Sequence, residues 1–344
     1  MALRVADTKR EAAFQIGTTY GCIVLWVVLS AAVIMVNKYV LAYSGFPFPV
    51  SLTLIHMLFC SSVATLLIMT GVVKSVDMPN ALYFRGVLPI ALLFALVLWL
   101  GNAAYMYLSV SFIQMLKAAM PITVFTAGIM LGTEKYELNL ALNLLVIGVG
   151  VGIASYGEMH FVLLGLLLQG SSVVLESFRL GLIQIILQSK GIKLNPVTTL
   201  YYIAPACAGF LCIPFYFLEL PKMLDPASEW ELNPLLLLGS AASALALNLA
   251  IFLLIGRTSA LTMNVAGVLK DWLLIGLSVL IFRSEVTLMQ LGGYSIAFLG
   301  VLSYNKIKNL AQATPVVVLA SESSPSAQEE GIALLEGKLG EGKV

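Results

Sequence analysis

Charged residues are scarce in this chain: they make up 11% of its 344 residues, against about 25% in ordinary soluble domains. The 19 Lys and Arg residues nearly balance the 18 Asp and Glu residues. The chain therefore has no basic field to hold a polyanion, which excludes a nucleic-acid partner. Hydrophobic residues reach 60%, which excludes a soluble globular enzyme and a disordered chain. This composition predicts a polytopic membrane protein surrounded by a lipid bilayer.

Cysteine and histidine are also scarce, and neither is arranged for chemistry. His56 and His160 are too isolated to form a metal site. No Walker-type phosphate loop, HExxH motif or nucleophile–base cluster is present, so the sequence predicts no enzyme activity, metal or cofactor. The cysteines all lie inside apolar runs, which is typical of buried thiols and not of a disulfide framework: Cys22, Cys60, Cys207 and Cys212.

Ten apolar runs follow one another along the chain, and each is long enough to cross a bilayer as a helix, which takes about 20 residues. Pro, Gly or charged residues mark most of the connections between them. The sequence therefore predicts an all-α membrane protein with ten transmembrane helices, at residues 19–42, 50–73, 84–107, 111–132, 138–156, 160–186, 198–219, 232–257, 260–283 and 285–306.

The distribution of Lys and Arg predicts the orientation, because cytosolic loops of membrane proteins are enriched in them. Only Lys222 and Arg283 fall on the side opposite the termini. We therefore expect a cytosolic N-terminal segment, 1–18, and a cytosolic tail, 309–344, whose Ser, Glu and Gly content predicts disorder. Thirteen basic residues share the side of the termini: Arg4, Lys9, Arg10, Lys74, Arg85, Lys135, Lys190, Lys193, Arg257, Lys306, Lys308, Lys338 and Lys343.

A weak internal repeat joins the two halves of the chain. Around the start of the fourth and ninth spans, Ser111 aligns with Ser259 and Met115 with Met263. This alignment predicts a first five-helix repeat at 19–157 and a second at 158–308. Because five is an odd number, the second repeat must be inverted in the membrane, which is the architecture of alternating-access carriers.

Two lysines at membrane depth lie in matching spans of the two repeats. Lys117 lies in the fourth span, just before Pro121, and Lys270 lies in the middle of the ninth. A lysine at the bilayer centre costs about 2.5–3.5 kcal/mol on insertion scales, so each must face protein or a wet cavity. Two ammonium groups in one cavity repel unless an anion lies between them, which predicts a phosphate-sized site. Alternatively, each lysine pairs with an acid; Asp271 adjoins Lys270, but consecutive helical side chains point about 100° apart.

Other polar groups at membrane depth have two interpretations each. Glu176 and Arg179 lie three residues apart in the sixth span, so they either neutralise each other or leave Arg179 to contact substrate or gate the cytosolic mouth. Lys38 either snorkels to the surface or serves as a gate or second phosphate contact. Three amides either join helices or contact substrate: Asn102, Asn248 and Asn264.

Four blocks of this sequence, Asn37–Leu41, Val110–Ala118, Asn264–Asp271 and Ser303–Lys306, resemble the triose-phosphate/nucleotide-sugar translocator family of the drug/metabolite transporter superfamily. The resemblance covers about residues 15–310 and is strongest to a plant branch of probable sugar phosphate/phosphate translocators with Lys-Asp in the ninth span. It implies ten helices in inverted repeats and strict exchange of phosphorylated sugars or nucleotide sugars for phosphate or a nucleoside monophosphate. It also implies that the cations of the site are Lys117 and Lys270.

Two departures from the plastid members of that family bear on location and substrate. Those members have Arg where Asp271 stands here and Tyr where Leu247 stands. The N-terminal segment is also unlike a transit peptide, so we expect the Golgi or another endomembrane and not a plastid. Asp271 offers an acceptor for sugar or ribose hydroxyls, which favours a nucleotide sugar exchanged for a nucleoside monophosphate, with a sugar phosphate close behind.

The sequence thus predicts an alternating-access antiporter for a phosphorylated sugar, and it leaves a homodimer open. A proton-coupled drug or metabolite exporter of the same superfamily, with Glu176 as proton carrier, is one alternative, and a receptor or scaffold without transport is another. The predicted substrate-binding residues are Lys117, Lys270, Asp271, Arg179, Lys38, Asn102, Asn248 and Asn264.

Overall fold

The computed structural model describes the backbone of residues 2–74, 78–159, 161–190, 196–254 and 260–322. Side chains are described for residues 18–74, 78–159, 161–185, 197–250, 266–267 and 269–308. Within these ranges the regular structure is helical and contains no strand.

The helices follow one another with short connections. The first half contains α1 (Ala2–Tyr43), α2 (Pro49–Met69), α3 (Asn80–Leu82), α4 (Leu88–Ala104), α5 (Val110–Lys117), α6 (Met120–Met130) and α7 (Leu138–Tyr156). The second half contains α8 (Leu163–Lys190), α9 (Pro196–Pro214), α10 (Leu220–Leu224), α11 (Pro234–Leu254), α12 (Ala260–Phe282) and α13 (Leu288–Glu322). A π-helical turn at Tyr83–Val87 joins α3 to α4, and another at Phe215–Glu219 joins α9 to α10.

Six of these helical stretches in the described residues are long and apolar enough to cross a membrane, so the protein is a multi-pass α-helical membrane protein. A seventh candidate is the pair α5 and α6, which meet at a bend of 41°. Pro121 causes the bend, because proline lacks an N–H and its ring clashes with the preceding turn, so a new helix begins at Met120. The six stretches are Thr18–Tyr43, Pro49–Met69, Asn80–Ala104, Leu138–Tyr156, Leu163–Ile185 and Val197–Leu224.

The first and last helices extend beyond the predicted spans. α1 begins at Ala2, so it includes the polar segment that precedes its apolar run. α13 continues to Glu322, beyond residue 308, where the sequence placed the end of the second repeat. The rest of the tail, 323–344, lies outside the described residues.

Side-chain oxygens fix the start of two helices. At α5, the Ser109 hydroxyl accepts a hydrogen bond from the Phe112 N–H at 3.1 Å. At α2 the cap comes from another helix: the buried Glu219 carboxylate accepts the N–H groups of Val50 at 2.8 Å and Ser51 at 2.7 Å. Because the N-terminus of a helix carries partial positive charge, a carboxylate there stabilises α2 and fastens it to the end of the α9 stretch.

α7 and α13 pack closely against each other along their length. A Cβ atom on Gly150 would lie 2.7 Å from the carbonyl oxygen of Gly293, and a Cβ on Gly293 would lie 2.7 Å from that of Gly150. Only glycine fits at this separation, so the two backbones approach as in other small-residue contacts of membrane helices. Elsewhere α1 packs on α11 and α12, α2 packs on α9 and α11, α4 packs on α8 and α9, α5 packs on α12, and α6 packs on α8.

A continuous apolar core closes one end of the bundle. Phe46 and Phe48, in the loop after α1, pack edge to face on Trp230, with ring centroids 6.1 and 5.7 Å apart. Phe112 and Tyr105 are buried in the same core. Tyr105 also lines a cavity inside the bundle, so the core borders that cavity on this side.

Candidate binding site

A cavity of about 380 Å³ lies between α1, α4, α8 and the break between α5 and α6. This volume is within the roughly 300–1,000 Å³ that small-molecule sites occupy. Most of its lining is apolar, as is usual for such sites. The polar residues of the lining are Asn37, Asn102, Tyr105, Lys117, Gln169, Ser172 and Glu176.

Lys117 is the last residue of α5 and the cation that lines the cavity. In the described part of the chain, no acceptor lies within hydrogen-bond or ion-pair distance of its ammonium group. Glu176 and Asp271 are close enough to act on it electrostatically. A cation without a bonded partner at membrane depth needs an anion or water, so Lys117 can bind an anionic group that enters the cavity.

Lys270 and Asp271 form an ion pair, with 3.4 Å between Nζ and Oδ1. We expected consecutive side chains to point apart; the long lysine stem nevertheless brings its ammonium group to the carboxylate of the next residue. The Lys270 ammonium also lies over the Trp26 ring, 5.6 Å from its centroid. Asp271 acts electrostatically on both lysines, so the structure brings Lys117, Lys270 and Asp271 together, although of these three only Lys117 lines the cavity.

Arg179 and Glu176 form a two-bond pair across one turn of α8. Arg179 Nε donates to one carboxylate oxygen of Glu176 at 2.7 Å, and Nη2 donates to the other at 2.5 Å. The guanidinium group also lies 4.9 Å from the centre of the Phe94 ring. This geometry favours the interpretation in which the two charges neutralise each other.

Lys38 is buried and binds two carbonyl oxygens at the C-cap of α4 and in the turn that follows it. Its Nζ donates to the oxygen of Tyr105 at 2.6 Å and to that of Leu108 at 3.0 Å. The last carbonyls of a helix have no partner within the helix, and a lysine can satisfy them. These contacts favour a structural role for Lys38, different from both the snorkelling and the substrate-contact interpretations.

Asn102 lies in a chain of buried hydrogen bonds that joins four helices. Its amide nitrogen donates to the Thr53 hydroxyl at 2.9 Å, and its oxygen accepts from the Asn37 amide at 3.3 Å. The Ser240 hydroxyl donates to Asn37 at 2.9 Å, and His56 Nε2 lies 2.9 Å from the same hydroxyl. The contacts link α1, α2, α4 and α11, which favours the interpretation in which Asn102 joins helices. Asn102 also lines the cavity.

The other two predicted amides are outside this arrangement. The Asn248 amide donates to the Ala244 carbonyl of its own helix at 2.8 Å. Asn264 lies on α12, but its side chain is outside the described residues.

Five polar cavity-lining residues were not among the predicted substrate-binding residues: Asn37, Tyr105, Gln169, Ser172 and Glu176. Gln169 and Ser172 share the face of α8 that carries Glu176 toward the cavity. Their spacing of three and four residues in an apolar helix was the available signal. Among the described residues, no three His, Cys, Asp or Glu side chains are grouped as a metal site requires.

Comparison with known proteins matches most of this chain to one family. Residues 18–305 match the Triose-phosphate Transporter family. A protein of Arabidopsis thaliana, described as a probable sugar phosphate/phosphate translocator, is 48% identical over 94% of this chain and 92% of its own length. A second with the same description and organism is 50% identical over 84% of this chain and 83% of its own length. A third, also so described, is 34% identical over 84% of this chain and 81% of its own length.

Proposed function

The chain belongs to the Triose-phosphate Transporter family, and we propose that it is an alternating-access antiporter that exchanges a sugar phosphate for inorganic phosphate. The observation that carries the proposal is the Lys117 ammonium, which faces a cavity of about 380 Å³ without a bonded acceptor among the described residues. A phosphoryl group offers a charge and several acceptor oxygens to such a cation. Membership of a transporter family supports transport as the activity of this site.

The charges around Lys117 support a phosphate site. Asp271 forms an ion pair with Lys270 and acts electrostatically on both Lys270 and Lys117. In the unloaded carrier this carboxylate partly compensates the two ammonium groups. A bound phosphoryl group compensates them more fully, so the loaded carrier closes around its substrate at lower cost than the empty one.

The size of the cavity and the names of the similar proteins favour a sugar phosphate over a nucleotide sugar. A volume of about 380 Å³ is near the lower end of the range for ligand sites. A nucleotide sugar carries a nucleoside and a second phosphoryl group in addition to the sugar. The similar Arabidopsis thaliana proteins are named probable sugar phosphate/phosphate translocators. We therefore prefer the sugar phosphate, which the sequence alone had placed second.

We further propose that ten helices cross the membrane as two inverted five-helix repeats. α5 and α6 together form the fourth span, and α11, α12 and α13 add the last three to the six clear spans. The helix contacts support the repeat. The first span, α1, packs on the eighth and ninth spans, α11 and α12. In the same way the sixth span, α8, packs on the third and fourth spans, α4 and α6. Gly150 and Gly293, in the last span of each repeat, meet reciprocally, as a two-fold relation requires.

The bias of Lys and Arg supports cytosolic termini. Asp271, in place of the Arg of plastid members, supports an endomembrane such as the Golgi.

The test uses purified protein in lipid vesicles with labelled inorganic phosphate outside. Vesicles are loaded with phosphate, with a triose, pentose or hexose phosphate, with a nucleoside monophosphate, or with buffer. We expect uptake with internal phosphate or sugar phosphate, and its loss in Lys117→Ala and Lys270→Ala. Lys222→Ala, at an exposed position of α10, is the control. Exchange at the normal rate in Lys117→Ala would overturn the site.

The same vesicles separate the alternatives. The proton-coupled exporter needs a free carboxylate, yet both oxygens of Glu176 are engaged by Arg179. Uptake driven by a pH gradient would support that exporter against our proposal. Absence of any flux would support a receptor or scaffold.

A further inference from the structure

One face of α8 supplies a row of side chains to the cavity. Gln169, Ser172, Val173 and Glu176 all line it, and their spacing of three and four residues places them on one side of the helix. Glu176 is paired with Arg179. Gln169 and Ser172 are therefore the polar groups of this face that are available to a ligand.

The side-chain oxygen of Gln169 is buried without a hydrogen-bond partner. The residue is 2% exposed, and its Oε1 has no donor within reach among the described residues. An unsatisfied buried acceptor costs about 1–3 kcal/mol, so few persist in folded proteins without a reason. Because Gln169 lines the cavity, a donor on a bound ligand would satisfy it.

Ser172 adds a second acceptor on the same face. Its hydroxyl donates to the carbonyl oxygen of Val97 at 3.0 Å. With its proton used in this way, the oxygen keeps lone pairs that accept hydrogen bonds. The α8 face thus presents acceptors, whereas Lys117 presents a donor.

This division matches the two ends of a sugar phosphate. The phosphoryl group offers acceptor oxygens, which suit Lys117, and the sugar offers hydroxyl donors, which suit Gln169 and Ser172. Inorganic phosphate as a dianion has a single O–H and no sugar. It therefore gains from Lys117 as a sugar phosphate does, but it leaves the α8 acceptors largely unsatisfied.

We propose that Gln169, assisted by Ser172, is the sugar-hydroxyl subsite of the cavity and sets the preference for sugar phosphate over inorganic phosphate. The inference rests on the proposed function, because it names the part of the same cavity that recognises the sugar. It places the phosphoryl group at Lys117 and the sugar hydroxyls at α8.

The experiment measures competition in the vesicle exchange assay. Labelled phosphate is exchanged for internal phosphate, and the best competitor among triose, pentose and hexose phosphates is titrated outside. In Gln169→Met, which keeps the side-chain length, the affinity for inorganic phosphate should change less than the affinity for the sugar phosphate. The inhibition constant of the sugar phosphate should rise about tenfold, which corresponds to about 1.4 kcal/mol. Ser172→Ala should show a smaller rise in the same direction.

Single-deoxy analogues of that competitor distinguish a contact from a structural effect. In the unsubstituted protein, one analogue should bind about tenfold more weakly than the parent sugar phosphate, the equivalent of about 1.4 kcal/mol. In Gln169→Met, that analogue and the parent should bind alike. If every deoxy analogue is penalised equally with and without Gln169, the proposal is overturned.

Asn143→Leu is the matched control, because the buried amide oxygen of Asn143 on α7 also has no partner among the described residues, and Asn143 does not line the cavity. It should leave the ratio of sugar phosphate to phosphate affinity unchanged. A change of that ratio in Asn143→Leu as large as in Gln169→Met would refute the subsite. The absence of phosphate–phosphate exchange in the unsubstituted protein would instead refute the proposed function, so the two failures are distinguishable.

Discussion

The ammonium group of Lys270 lies 3.4 Å from the carboxylate of Asp271, the next residue in the chain. Asp271 also acts electrostatically on Lys117, which lines the cavity. One carboxylate therefore acts on two cations. A phosphoryl group that binds there must compete with a negative charge that the protein itself provides.

Asp271→Asn should tighten the binding of inorganic phosphate. Two unit charges 4 Å apart interact by about 4 kcal/mol at the effective dielectric of a protein near its surface. If about a third of this energy is repulsion between Asp271 and a bound phosphate, the affinity of Asp271→Asn for phosphate should be about tenfold higher. The inhibition constant of unlabelled phosphate in the exchange assay measures the effect. Asp271→Glu keeps the charge and is the control, and weaker phosphate binding in Asp271→Asn would contradict the competition.

Lys38→Met should lower stability and leave the KM for phosphate nearly unchanged. The substitution removes the donor for the carbonyls of Tyr105 and Leu108. Hydrogen bonds from charged groups contribute about 1.5–3 kcal/mol each, partly offset here because a buried charge is also removed. Thermal unfolding in detergent measures the loss, with Lys222→Met, at an exposed position of α10, as control. Normal unfolding together with a raised KM would instead favour Lys38 as a phosphate contact.

Glu219→Gln should destabilise the start of α2. The carboxylate caps the N–H groups of Val50 and Ser51 from another helix, and losing a charged cap costs about 1–2 kcal/mol. The midpoint of unfolding should fall below that of Glu229→Gln, which changes an exposed loop carboxylate. Equal midpoints for the two variants would show that the cap contributes little.

Gly150→Ala should disturb the contact between α7 and α13, whereas Gly152→Ala should not. A Cβ on Gly150 would lie 2.7 Å from the carbonyl oxygen of Gly293, and a Cβ on Gly152 would have nothing within 4 Å. Overpacking costs about 1–3 kcal/mol, and the control gains the better helix propensity of alanine. Unfolding midpoints in detergent should separate the variants in this order. Equal midpoints would show that the helices separate readily at this contact.

The connection between α10 and α11 should face the lumen, and both termini should face the cytosol. A glycosylation acceptor inserted within residues 225–231, where the chain is mostly exposed, should be modified in microsomes. The same acceptor at either terminus should remain unmodified, because the distribution of Lys and Arg predicts cytosolic termini. The reverse pattern would contradict the ten-span topology.

Much of the site could be predicted from the sequence because it depends on local signals. A lysine in an apolar run must face a cavity or protein, and Lys117 lines one. Pro121 predicts an interruption of the fourth span, and the helix breaks just before it. Glu176 and Arg179, three apart on a helix, were open to pairing, and they pair.

The sequence by itself determined the helical membrane class, the family and the deep cations, because apolar runs, short motifs and isolated charges are properties of the chain. Only the tertiary structure decided which groups the polar side chains contact. Lys38 binds main-chain carbonyls, Glu219 caps another helix, and Gln169 lines the cavity. The physical reason is distance along the chain. A polar residue within a long apolar run is predicted to be buried. The packing of helices that are far apart in the sequence decides which group its side chain contacts.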